Sequence, residues 1–278
     1  MKSHANPNEE RTGAMFEITN FEMGRRVRGT LLLSGSLIAF VVLTIALFPS
    51  IQQSGVNLDA YIQNLPEEAR RAFIGDVESI TTIDGYLASQ FYQIAWLLGL
   101  GIYYAYAGAS SVAKEMENGT LELVLAHPVT RTRLVIGKYL ALIPSMLAVN
   151  AFTFLSVYVS VEFIGEFLDP GYLLALHAYS IVYFLACASL GMVASVQFDT
   201  ARRARTVGVG AIFGMFLVDT VTFGTDYEWI GDFAFTRYFD VGKILTDGTV
   251  SADDFAVLAV AAVALLVVSA ELFERRDV

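Results

Sequence analysis

Six long apolar runs alternate with polar stretches along the chain, at approximately 30 to 50, 90 to 113, 134 to 160, 171 to 197, 206 to 224 and 255 to 273. A helix needs roughly 18 apolar residues to cross the hydrocarbon core of a bilayer, and each run reaches that length. The pattern therefore predicts an all-α polytopic membrane protein with six transmembrane helices and a single transmembrane domain over residues 1–278.

The polar stretches carry shorter helical signals. Ahead of the first run, FEITNFEMGRRVR (16 to 28) sets Phe16, Asn20, Met23 and Val27 on one helical face, with Glu22 four residues before Arg26. Ending in the basic cluster Arg25, Arg26 and Arg28 and joined directly to a span, it predicts an amphipathic helix lying in the membrane interface. In the loop from Ile51 to Ser89, Leu58, Tyr61, Ile62 and Leu65 recur at helical spacing. Pro66, Glu67 and Glu68 then open a second short helix with an acidic first turn, so a small helical cap is expected. Residues 225 to 254 mix Trp229, Phe233, Phe235, Tyr238 and Phe239 with acids, which fits interface anchoring and leaves room for a re-entrant piece. Pro144 should kink the third span. Gly210 and Gly214, in GxxxG spacing, should let the fifth approach another helix, in the same chain or in a second copy.

Composition agrees with a bilayer. At 55% hydrophobic residues, the chain carries more apolar surface than a soluble domain of 278 residues could hide. Charge then sets the orientation, because inner segments retain Lys and Arg. With the N-terminus inside, 14 of the 18 basic residues fall on inner segments or inner span ends, while 17 of the 28 acids fall outside. Both termini are then cytoplasmic. The first 29 residues are polar and "LFPSIQQSG" lacks a small-residue cleavage pattern, so the first span reads as an uncleaved signal anchor in a multi-pass cell-membrane protein. The acidic outer face and a pI near 4.8 would suit a high-salt exterior, as in a halophilic organism. The single cysteine, Cys187, sits mid-span as a small packing residue.

Several chemistries are missing from the pattern. A phosphate-cradling GxxxxGK[ST] loop fails at both Gly-Lys sites, Lys138 and Lys243, which lack the earlier glycine. His4, His127 and His177 are scattered, with no HExxH and no Cys/His cluster, so no metal site is readable. The GxGD, EExxxR and GxSG signatures of membrane proteases each fail on residue identity; Ile102 stands in place of the required Asp and Ala72 in place of the required Arg. Ionisable residues inside the spans are few: Asp219 and Glu162 lie near outer ends, within reach of water. Nothing points to nucleic acid.

The insert VAKEMENGTLELVLAHPVTRTRLVIGKYLA, between the second and third runs, is too polar to span and too apolar for a simple loop. Gly119 breaks the helix that continues from the second span, and Thr120 caps a short helix facing Leu121, Val124 and Leu125 one way. Pro128 ends it and Thr130 caps the third span. Lys114, Glu115, Glu117 and Glu122 are expected to point toward the cytosol, where a soluble partner could push on them.

The string E-x-E-x-G-T-L-E-L-x-L-x-x-P-V-x-R followed by I-G-K resembles the loop that marks membrane subunits of ABC transporters of the type-two permease family. The resemblance also takes in the 16 to 28 segment as an elbow helix, the "LPEEARRAF" outer loop and the "SVQFDTARRART" inner loop. It implies that two permease copies, a homodimer or heterodimer, pair with separate ABC ATP-binding subunits. Those subunits would hold ATP and Mg, and this chain itself would bind no cofactor and have no enzyme activity. It further implies that Glu115, Glu117, Gly119, Thr120, Leu121, Glu122 and Leu125 form a coupling helix docking on the ATPase, supported by the elbow around Phe16, Met23, Arg25, Arg26 and Val27. The implied function is ATP-driven transport, as an exporter. Two other classes stay open: an ABC-driven scaffold acting mechanically on an outside partner, and an ion-coupled carrier independent of any ATPase.

Overall fold

The computed structural model describes residues 7–53, 64–75, 77, 79–121 and 130–276. Leu58, Tyr61, Ile62, Glu122 and Leu125, and the side chain of Phe16, lie outside this description. Among the described residues the chain is all-helical, without strands. Helices α1 (Pro7–Gln53) and α2 (Glu67–Ile74) precede the composite second run. That run consists of α3 (Ile83–Leu87), a π-helical stretch (Ala88–Leu100) and α4 (Gly101–Ala109). Next come α5 (Ala113–Glu117), α6 (Arg131–Leu140), α7 (Ile143–Phe163), α8 (Pro170–Gln197) and α9 (Ala201–Thr222). Two 3-10 turns, α10 (Val241–Asp247) and α11 (Ala252–Glu274) complete the chain.

Among the described residues, five stretches are long and apolar enough to cross a membrane: Glu22–Gln53, Arg131–Phe163, Pro170–Gln197, Ala201–Thr222 and Ala252–Glu274. They match five of the six expected runs. The other run, 90 to 113, is helical but changes register twice, so no one regular helix covers it.

Two local expectations change in detail. The segment 16 to 28 does not form a separate helix but makes early turns of the unbroken α1. No proline interrupts it before Pro49, and Gly24 and Gly29 alone do not remove a backbone hydrogen bond. The expected kink of the third span is a break at 141–142, one turn before Pro144 would otherwise clash, and Pro144 sits in the first turn of α7, where its missing N–H has no helical partner to lose. The short acidic helix after Pro66 forms as expected, as α2.

In a bilayer, lipid tails compete for apolar contacts, so helices associate where backbones come close and polar groups pair. α8 occupies the centre, with α4, α7, α9 and α11 packed around it and Cys187 fully buried on it. Gly108 of α4 and Gly191 of α8 meet face to face. A Cβ on Gly108 would stand 2.2 Å from the Ala188 carbonyl oxygen, and one on Gly191 2.0 Å from that of Ala105. Gly208 of α9 joins the same crossing, where a Cβ would meet that of Ala109 at 3.3 Å. Gly210 and Gly214, the expected contact, have open space within the chain. An aromatic cluster of Phe91, Tyr92, Trp96, Tyr104, Tyr183 and Phe184, all fully buried, fills the layer beside the crossing.

Gly191→Leu should therefore force α4 and α8 apart and lower the melting midpoint of the detergent-solubilised protein. Overpacking of this kind costs about 1–3 kcal/mol or more. Gly35→Leu, at an exposed position with open space, should leave the midpoint within error; equal midpoints for both variants would remove the crossing from its structural role.

Candidate functional site

The residues that the sequence singles out between the second and third runs converge with others at the end of the bundle where most basic residues lie. α4 ends at Ala109, and a turn leads into α5, whose first backbone N–H groups have no helical acceptor. Ser195 of α8 supplies one: its Oγ accepts from Val112 N at 2.8 Å and from Ala113 N at 3.0 Å. α5 is thereby capped from another helix. It stops at Gly119, whose φ of 65° is a left-handed conformation that suits glycine. Leu121 just beyond it is buried.

The centre of the site is Lys138, on α6. Its side chain is only 3% exposed, and Nζ donates to Glu115 Oε1 at 2.5 Å and to Glu22 Oε1 at 2.9 Å. Glu22 is on α1 and Glu115 on α5, so one ammonium joins three elements. Burying a lone ammonium costs several kcal/mol, and two carboxylates offset it. Glu22 also faces Arg25 at 3.8 Å and Arg26 at 4.0 Å. The α1–α6 contact is extended by Thr19, whose Oγ1 donates to the Gly137 carbonyl.

Glu117 has a different task. α9 has no side-chain cap of its own at Thr200, and Glu117 Oε2 accepts from Ala201 N at 3.0 Å. A carboxylate at a helix N-terminus satisfies an orphan donor and suits the helix dipole. Beside it, Arg205 Nε donates to Ser110 Oγ at 2.7 Å, and the guanidinium stands 4.7 Å from the Tyr106 ring centre. Arg276 near the C-terminus donates to the Val196 carbonyl and to Asp199, and Arg131 donates to the carbonyls of Phe273 and Arg276. The caps expected at Thr130 and the turn at Gly119 are in place.

Glu115 thus corrects one expectation. Glu115 turns inward onto Lys138, whereas Lys114 and Glu117 are exposed as expected, Glu117 also accepting from the start of α9. Thr120 is exposed and donates back to the Glu115 carbonyl. On α1, Met23 and Arg26 are half-buried, while Arg25 and Val27 are exposed. Gly210 and Gly214 lie on α9, away from this site's contacts.

Sequence reasoning missed three things. The pattern shows Lys138 only as a Gly-Lys site without a phosphate loop and Glu22 only as a local partner of Arg26; the signal is a Lys inside the apolar LVIGKYLAL. Sequence reasoning also passed over a polar chain among the spans. Asn150 Nδ2 donates to the Met146 carbonyl, so its Oδ1 is the acceptor, taking hydrogen bonds from Ser180 Oγ at 2.9 Å and His177 Nδ1 at 3.0 Å. With that nitrogen donating, Nε2 accepts from Tyr92 Oη at 3.0 Å. Finally, Asp219 does not reach water freely. It is buried at the opposite end between Arg71 at 3.6 Å and Arg237 at 3.7 Å, and accepts from Thr236.

These features define a multi-pass helical membrane protein in which a short inter-span element at the basic end is braced to three spans and to the start of the chain. The chain belongs to the ABC-2 family: the model described as "ABC-2 family transporter protein" matches residues 17–278. That makes it a transmembrane component of an ABC transporter, not the ATPase, working in a membrane beside an ABC ATP-binding subunit. No curated protein matches the sequence.

Lys138→Met would leave Glu22 and Glu115 without their cation, a change that costs about 3–5 kcal/mol for a buried pair. The melting midpoint in detergent should fall clearly, and adding Glu115→Gln should recover part of the loss. If Lys138→Met melts with the parent, the brace does not hold the fold.

Proposed function

We propose that this chain is the membrane half of an ATP-driven exporter in which the segment from Ala113 to Val129 receives the motion of a separate ATPase. In this reading there are six spans, the composite run Ile83–Ala109 being the second, and both termini are cytoplasmic. The fourteen basic residues of the inner face support that orientation. Two permease copies, a homodimer in the simplest case, enclose the path, and Gly210 and Gly214 are open to a second copy. ATP and Mg belong to the ATPase. The export direction rests on the likeness of the GTLE-to-GK segment to that permease family.

The observation that carries the coupling role is the double ion pair at Lys138. A push on the segment after Gly119 reaches Glu115, then the Lys138 ammonium, then Glu22 and the start of the first span. A parallel line runs from Glu117 to the first N–H of α9. Short, mostly buried ion pairs transmit displacement better than exposed side chains do, because their partners do not readily rearrange into water. Glu122 and Leu125 complete the surface that meets the ATPase.

The test uses the complex of this chain with its ATPase in vesicles. Gly119→Pro forces φ to about −65° where the structure needs a positive angle, and Glu115→Gln removes one charge of the brace. Both variants should insert, yet lose ATP-dependent transport by about tenfold or more while basal ATP hydrolysis persists. Parent-like transport in both would sink the coupling assignment.

A further inference from the structure

At the basic end of the bundle, α1, α4, α5, α6 and the start of α9 surround a cavity of about 720 Å3. Its wall is unlike a solvent cleft. Arg25, Arg26, Lys114, Lys138 and Arg205 face it against only Glu22 and Glu115, leaving a surplus of positive charge. Glu22 is shared among Lys138, Arg25 and Arg26, and Glu115 pairs with Lys138, so five cations share two carboxylates. Tyr103 and Tyr106 supply an aromatic side, and Arg205 is held against Tyr106 with its Nε on Ser110.

Arg26 links this cavity to a second one. A groove of about 180 Å3 between α1 and the α6–α7 junction is lined by Met23, Val27, Leu31, Ala148 and Phe152, nearly all apolar, and Arg26 lines both spaces. Val27 and Leu31 are more than half exposed along the groove, on the face a span turns to lipid. The Arg26 Nε is buried with no hydrogen-bond partner among the described residues, and its nearest carboxylate, Glu22, stands at 4.0 Å, beyond hydrogen-bond distance. Burying a guanidinium N–H without an acceptor is unfavourable unless a ligand or water meets it. A polar, cationic chamber beside an apolar groove, joined at one under-satisfied arginine, has the shape of an amphiphile.

We propose that this is a binding site for an anionic, phosphate-bearing lipid of the adjoining leaflet. The phosphate lies in the chamber against Arg26, Arg25 and Lys114, and one acyl chain lies in the groove between Val27, Leu31 and Phe152. Arginine suits this role because its planar fork pairs with two phosphate oxygens at once. Basic residues beside a span attract anionic headgroups, and tyrosines favour the same depth. Burial of the acyl-chain methylenes supplies the rest of the affinity. The site depends on the spans lying in a bilayer; it shares Glu22, Glu115 and Lys138 with the brace, but lipid binding is read without the ATPase, so its failure and that of the coupling role are distinguishable.

The experiment titrates the full chain in detergent with three probes: a short-chain phosphatidylglycerol, the matching phosphatidylcholine, and glycerol phosphate, with bound adducts counted by native mass spectrometry. The phosphatidylglycerol should bind at least about tenfold tighter than either of the other two, a difference that one charge-assisted contact pair can supply. Arg26→Gln and Lys114→Gln should each weaken it several-fold without changing the phosphatidylcholine background. The second variant, at an exposed position, guards against a folding defect in the first. Ala148→Trp, filling the groove, should weaken the lipid and leave glycerol phosphate unchanged. Equal binding of the two lipids, glycerol phosphate binding as well as phosphatidylglycerol, or parent-like binding in the three variants would overturn the proposal.

Discussion

A single ammonium, that of Lys138, holds the basic end of this molecule together. It is drawn from water by the packing of α6 against α1, and it can stay charged there only because carboxylates from α1 and α5 close around it. Those partners are 116 and 23 residues distant in sequence, so the pairing is a long-range constraint and not a property of one helix. The other contacts of the region build on it. Ser195 caps α5 from α8, Glu117 caps α9 from α5, and Arg205 ties α9 back to the end of α4. A displacement of α5 that breaks none of these contacts must move the ends of several spans together.

Between the two ends, the bundle relies on close approach and on polar pairing, because lipid removes most of the hydrophobic drive for helices to associate. Gly108 and Gly191 bring two backbones within the distance a single Cβ would fill. The Tyr92–His177–Asn150–Ser180 chain then joins the π-helical stretch, α7 and α8, with each buried donor or acceptor answered by another. Trp96 stacks edge-on against His177 at 4.7 Å, so the polar chain sits inside an aromatic shell.

The two ends are built differently. At the acidic end Asp219 draws in Arg71 from α2 and Arg237 from the crossing before α11, and Arg71 also lies 3.5 Å from the Phe223 ring centre. The spaces there are small, about 40 and 250 Å3, against about 720 Å3 at the basic end. One end is closed by charges that neutralise one another; the other keeps a chamber with cations in excess.

The sequence by itself determined what repeats or breaks locally. Apolar runs of bilayer length, the left-handed turn at Gly119, the Thr130 cap, the short helix after Pro66 and the family-marking GTLE segment all depend on neighbours within a few residues, so they could be read directly. The register changes in the second run, the continuity of α1 and the choice of Gly108, Gly191 and Gly208 over Gly210 and Gly214 were decided only in three dimensions. So were the burial of Asp219 and the pairing of Lys138 with Glu22 and Glu115. The reason is physical: a hydropathy pattern says which segments leave water, whereas the partner of each buried charge or glycine is set by which helices cross, and that crossing is shared among residues far apart in the chain.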